Sequence, residues 1–112
     1  MKADSREYPR ASVRAPIWYY QWNEPKSAEG LELSAGGIFL RTEATLPEGT
    51  MLTLRLAMPG LARAITVLGQ VVRTVKGSVV KPSGMGVRFL DLLPTERTAL
   101  VAFVNQRHFA TV

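Results

Sequence analysis

The sequence has no cysteine and a single histidine, His108, in 112 residues. Without thiols there is neither a disulfide framework nor a cysteine nucleophile. One histidine cannot supply a tetrahedral zinc site by itself. His108 reads as a surface histidine rather than the base of a Ser-His-acid triad, because nothing near it has the pattern of a nucleophile elbow. No apolar run approaches the ~18 residues of a membrane span. Residues 1–10 are polar and contain no signal-peptide core, so the expected location is the cytoplasm. P-loop and dinucleotide fingerprints are also absent. Asp91, Glu96, Glu43 and Glu48 stand at turns or helix starts, where capping and solubility account for them. The chain is therefore expected not to be an enzyme and to hold no metal or cofactor.

Basic residues exceed acidic ones, 14 against 9, for a formal net charge of +5. That balance favours an anionic partner. The cations are scattered, without a run of five or six, so they do not mark a general nucleic-acid patch. They are mostly arginine, which makes forked contacts with phosphates and purine edges and stacks on rings.

Apolar residues make up 46% of the chain, enough for a core, and the length fits one domain. Residues 1–9 read as a flexible arm and 10–112 as a single domain. Strands are expected at 15–22, 30–34, 37–42, 51–56, 64–75 and 84–90. The clearest is 51–56, where Leu52, Leu54 and Leu56 alternate with Met51, Thr53 and Arg55. The segment 23–27, with Pro25, reads as a loop, and Gly69 as a bend or bulge within its strand. Only the tail is helical in pattern: Leu100, Phe103, Val104 and Arg107 follow a helical stripe after Pro94, Thr95 and Glu96. Six or seven short strands with turn signals between them imply a mainly all-β domain, a small antiparallel barrel or sandwich, with a C-terminal helix.

One stretch, Glu32-Leu33-Ser34-Ala35-Gly36-Gly37-Ile38-Phe39-Leu40, stands out. Glu32 and Ser34 point to one face of an extended chain. The double glycine at Gly36 and Gly37 allows a tight bend, positive φ, or close approach of the backbone to a ligand. The same residues also suit a plain turn between strands. Arg10 and Arg14, four apart, read either as a solvated basic arm or as a clamp on an anionic ligand. Set beside Glu32, Ser34 and Gly37 they suit a nucleotide. Guanidiniums bind phosphates and stack on purines. A carboxylate accepts hydrogen bonds from guanine N1 and N2, and a serine hydroxyl reaches a phosphate or a base edge.

The spacing Arg-x-x-x-Arg, followed about twenty residues later by an acidic-x-Ser-x-x-Gly run, resembles the PilZ domain, a bacterial cyclic di-GMP receptor domain. The likeness extends from about Arg10 to Arg107. It includes Arg14-Ala15-Pro16-Ile17, Leu46-Pro47-Glu48-Gly49-Thr50 and Gly84-Met85-Gly86-Val87-Arg88-Phe89. The resemblance implies a six-stranded antiparallel β-barrel of PilZ type with a C-terminal α-helix. It assigns Arg10 and Arg14 to the phosphates and guanine face of cyclic di-GMP, and Ser34 and Gly37 to the wall of the guanine site; Glu32 and Gly36 are expected among the ligand-binding residues with them. It further implies a protein partner in motility, biofilm or secretion control.

One position departs from the family pattern. Glu32 stands where Asp or Asn is usual. Its extra methylene forces a bidentate contact to retract, at a cost of about 1–2 kcal/mol on the scale of a hydrogen bond to a charged group. The expectation is a receptor of reduced affinity. The alternative is a barrel that acts as a protein-interaction adaptor with little or no nucleotide binding. Trp18, Tyr20 and Trp22 would then supply an interface, unless these rings fill or cover the barrel. A general single-strand nucleic-acid binder is a further rival, opposed by the scattered charge.

Overall fold

The computed structural model describes residues 8 to 110, the last three by backbone alone. Residues 1 to 7, most of the expected arm, and the side chain of His108 lie outside the described residues. Six strands form, in chain order: β1 (Ala11–Gln21), β2 (Glu24–Leu33), β3 (Gly37–Arg41), β4 (Met51–Leu56), β5 (Ile65–Val75) and β6 (Gly84–Phe89), followed by helix α1 (Pro94–Ala110). They close into a barrel in the order β1-β2-β3-β6-β5-β4, and every neighbouring pair is antiparallel. Closure removes all sheet edges and decides between barrel and sandwich.

Alternation drives the assembly. Along β1, Ala11, Val13, Ala15, Ile17 and Tyr19 are buried while Ser12, Arg14, Pro16, Trp18 and Tyr20 face solvent. Leu33, Leu40, Leu52, Leu54, Leu56, Met85 and Val87 fill the interior from the other strands. The strand at 51–56 forms over the expected residues. Two others differ from expectation. β1 begins at Ala11 rather than at residue 15, and the expected loop at 23–27 is the first half of β2. The β1–β2 hairpin turns on Trp22 and Asn23 alone, both in the left-handed region with φ of 55° and 60°. Such a two-residue turn matches the twist of the flanking strands.

The bend expected at Gly69 also falls elsewhere. β5 bulges between Val71 and Arg73. Gly69 serves packing instead: a Cβ there would meet Val87 Cγ1 at 2.5 Å and Leu54 Cδ1 at 2.6 Å.

Because neighbours are antiparallel, the β2–β3 and β4–β5 connections lie at the end where β1 enters and β6 leaves. Helix α1 closes this end. It starts on Pro94, as favoured at a first helical position, and the Leu93 N–H donates to Glu96 Oε1 at 2.9 Å. Leu100, Phe103 and Val104 are buried against the barrel. Arg107, the last residue of the expected stripe, lays its guanidinium 4.7 Å from the centre of the Phe103 ring. Among the described residues, no helix is long and apolar enough to cross a membrane.

Candidate functional site

Register brings one row of outward-facing residues across five strands. Glu32 pairs with Ser12 on one side and Phe39 on the other. Phe39 pairs with Gly86 of β6, and Gly86 with Arg73 of β5. The glycines of β6 matter here. A Cβ on Gly84 would meet Phe39 Cζ at 2.5 Å, so its absence lets the ring lie on the sheet. The Arg73 guanidinium then sits 5.6 Å from the centre of that ring. A neighbouring row runs from Gly37 to Arg88 to Gln70, where Arg88 Nη2 donates to Gln70 Oε1 at 3.5 Å.

Above these rows stands the β2–β3 turn. The Ser34 N–H donates to the Gly37 carbonyl at 2.9 Å, and the Gly36 N–H to Ser34 Oγ at 3.0 Å. Neither Gly36 nor Gly37 has a positive φ. Gly37 is required for a different reason: a Cβ would overlap the Val87 carbonyl oxygen of β6. The close approach is thus between two strands of the protein. Gly36 carries no such crowding; a Cβ would rest 3.5 Å from the Tyr8 ring.

Rows and turn together bound an open cleft of about 480 Å³ on the outside of the barrel. Arg10, Glu32, Ser34, Gly36 and Gly37 all line it, as do Tyr8, Phe39, Arg73 and Arg88. Arg10 Nη1 lies 3.2 Å from Glu32 Oε1. Three guanidiniums, one of them paired with a carboxylate and one over an aromatic ring, make an environment for an anion with a flat, polarisable part. Among the described residues, no group of three or more His, Cys, Asp or Glu is placed to hold a metal ion.

Arg14 is not among the lining residues. It sits within β1 at a bulge, where the pairing shifts between Ser12 and Ala15, and its φ is 45°. The bulge turns it to the outer face of the barrel. Arg6 also stands four residues from Arg10 and lies outside the described residues. Tyr8, Phe39, Arg73 and Arg88 were not singled out from sequence. For three of them, only strand pairing could have brought them together.

A second cavity of about 440 Å³ shares Tyr8 and continues along α1, past Leu92, Pro94, Arg97, Thr98 and Val101. Arg97 joins the two. Its Nη1 donates to the Ala35 carbonyl of the β2–β3 turn at 3.0 Å, and its guanidinium lies 5.4 Å from the centre of the Tyr8 ring.

A family model described as the PilZ domain matches residues 4–106. Solved structures share the fold. The inhibitor of motility (MotI/DgrA) of Bacillus subtilis is 19% identical with a TM-score of 0.83, covering 97% of this chain and 53% of that one. The PilZ domain with c-di-GMP of YcgR from Escherichia coli is 18% identical with a TM-score of 0.74, covering 96% and 95%. The MrkH–c-di-GMP complex of K. pneumonia is 14% identical with a TM-score of 0.76, covering 96% and 54%. The chain thus spans about half the length of MotI and of MrkH. No curated protein matches the sequence.

Proposed function

The chain belongs to the PilZ domain family, and from that premise we propose that it is a cyclic di-GMP receptor domain with the nucleotide held in the cleft between Arg10, Glu32 and the turn at 34–37. The observation that carries this reading is convergence. Four of the five positions of the family pattern, Arg10 from before β1 and Glu32, Ser34 and Gly37 from the β2–β3 turn, line one cleft with Arg73, Arg88 and the Phe39 ring, while Arg14 does not. Cyclic di-GMP offers two phosphodiester anions and two guanines. Arg10 and Arg88 supply charge-assisted donors to the anions. Glu32 accepts from guanine N1 and N2. Ser34 Oγ, already bonded to the Gly36 N–H, keeps its own proton to donate. Arg73, held over Phe39, presents a guanidinium plane for stacking.

The second arginine of the family pattern is open between two residues. Arg14 has the spacing on one side of Arg10, and Arg6 on the other. Arg14 lies outside the cleft lining, so the reading favours Arg6 with Arg10. The domain then acts by protein contact rather than catalysis, in the cytoplasm. The neighbour described as an inhibitor of motility suggests motility control as the setting.

The alternative, an adaptor that binds protein without nucleotide, draws on one observation. Arg10 and Glu32 pair with each other in the cleft, and that pair must open for a ligand. Calorimetric titration with cyclic di-GMP, with cyclic di-AMP and GTP as comparators, separates the two. Saturable binding of cyclic di-GMP alone, lost in Arg10→Ala, supports the receptor. Absence of heat in the native chain and in Glu32→Asp leaves the adaptor.

A further inference from the structure

The β1 bulge that takes Arg14 away from the cleft delivers it to a second surface. Beyond the bulge, the outward residues of β1 are Pro16, Trp18 and Tyr20, with Trp22 at the hairpin turn. Strand β4 lies alongside. Trp18 pairs with Arg55 and Tyr20 with Thr53, and Met51 follows two residues on, on the same side. Trp18 is 48% exposed, Tyr20 37%, Trp22 89% and Met51 44%. These large apolar side chains stand together on one sheet face and are absent from the core.

The outward charges of β1 and β4 on this face are of one sign. Arg14 and Arg55 point outward with the aromatics, and among the described residues neither takes part in an ion pair. On the adjoining strand β2, Glu29, opposite Pro16, is paired with Arg41 at 3.6 Å, and Glu24, opposite Gln21, with Lys26 at 3.9 Å. The outward residues of β4, Met51, Thr53 and Arg55, include no acid. Trp, Tyr, Met and Arg are the side chains enriched at the centres of protein interfaces, where Lys, Asp and Glu are depleted. Two guanidiniums are few for a phosphate backbone, whose affinity grows with each phosphate neutralised. No lysine stands on the face, as an anionic membrane surface would favour.

We propose that the outer face of β1 and β4, formed by Arg14, Trp18, Tyr20, Trp22, Met51 and Arg55, docks an acidic segment of a partner protein that carries apolar side chains between its carboxylates. The aromatics supply the buried anchor. Arg55, opposite Trp18, and Arg14, two outward positions before Trp18 on β1, select acidic chains and repel basic ones. The left-handed Arg14 is a strained backbone position held by the bulge; its use is to aim the guanidinium at this face. This inference does not rest on the nucleotide reading, and its test contains no nucleotide, so either can fail alone.

The test uses the full chain and two synthetic peptides, one alternating Glu with Leu and one alternating Lys with Leu. Binding is followed by tryptophan fluorescence and by backbone amide shifts. The expected result is saturable binding of the Glu/Leu peptide, weakened by added salt, with shifts confined to β1 and β4. Trp18→Ala, and Arg55→Glu combined with Arg14→Glu, each weaken it about tenfold or more, while Arg55→Lys retains most of it. All these side chains are exposed, and circular dichroism confirms that each variant folds. Absence of saturable binding, or equal binding of the Lys/Leu peptide, overturns the proposal. So does tighter binding of oligothymidylate or of phosphatidylglycerol vesicles, which would make the face a phosphate-binding surface.

Discussion

Arg10 Nη1 and Glu32 Oε1 lie 3.2 Å apart, with 42% and 51% of the two side chains exposed. The pair joins the chain just before β1 to the outward face of β2, across the mouth of the cleft. Exposed ion pairs of this kind contribute about 0–1 kcal/mol. Opening it for a ligand therefore costs little beside the charge-assisted hydrogen bonds that replace it. Glu32→Asp, which removes one methylene, is expected to tighten cyclic di-GMP binding by about five- to thirty-fold, the equivalent of about 1–2 kcal/mol. Glu32→Ala weakens it by a similar factor. Neither change moves the urea midpoint by more than about 0.5 kcal/mol of stability. Titration calorimetry and denaturation together check both halves.

The arginines separate by position. Arg10→Ala removes a cleft guanidinium and is expected to weaken binding by about tenfold or more, as for a hydrogen bond between charged groups. Arg14→Ala, outside the cleft, leaves the dissociation constant within about twofold. Arg6→Ala gives a loss like that of Arg10→Ala. If Arg14→Ala abolishes binding and Arg6→Ala does not, the assignment of the pair is reversed.

The two glycines of the turn carry different loads. Gly37→Ala places a methyl on the Val87 carbonyl of the adjacent strand and is expected to cost about 1–3 kcal/mol, in the manner of an overpacked core. Gly36→Ala, whose methyl would stand in ordinary contact with Tyr8, costs no more than about 0.5 kcal/mol. Thermal melts of the two variants show whether the asymmetry holds.

Tyr19, 2% exposed inside the barrel, gives a pH dependence. Burial raises its phenol above the ordinary value of 10.0, partly offset by a hydrogen bond with Thr42. Below pH 10 both folded and unfolded chains keep the proton. Above it the unfolded tyrosine ionises first, so unfolding releases a proton and stability falls as pH rises, until the folded phenol ionises as well. Tyr19→Phe loses the hydrogen bond, about 1 kcal/mol at neutral pH. The difference in stability between it and the native chain then shrinks or inverts above pH 10. A pH series of urea denaturations reads this directly.

Much of this was legible in the chain. The alternation of Leu52, Leu54 and Leu56 marked β4 to its ends, and Glu32, Ser34 and the double glycine marked the turn that walls the cleft. What the chain concealed has physical causes. Residues 11–14, polar and basic in alternation with small apolar ones, give little sign that β1 begins before Pro16, which faces outward inside the strand and pairs with Glu29. The first half of β2 is polar and carries Pro25, so nothing in its pattern announces a strand. A tryptophan at a left-handed turn position is equally unannounced, since glycine and asparagine are the usual signals there. Arg73 and Phe39 are far apart in sequence and meet because the register sets both beside Gly86 and Gly84 leaves room for the ring. Spacing on one strand carries no information about such cross-strand rows.

The bridge from Arg97 to both the Tyr8 ring and the Ala35 carbonyl has a consequence in time rather than in affinity. From Tyr8 onward, the chain entering β1 is already laid along the cleft and fastened to the first turns of α1. A ligand arriving there meets a wall that does not wait on a folding step. Any slow, concentration-independent phase in its response should therefore arise outside this wall, for example in the opening of the Arg10–Glu32 pair. A signal carried by such a domain follows the messenger promptly, and its persistence is set by how slowly the ligand leaves.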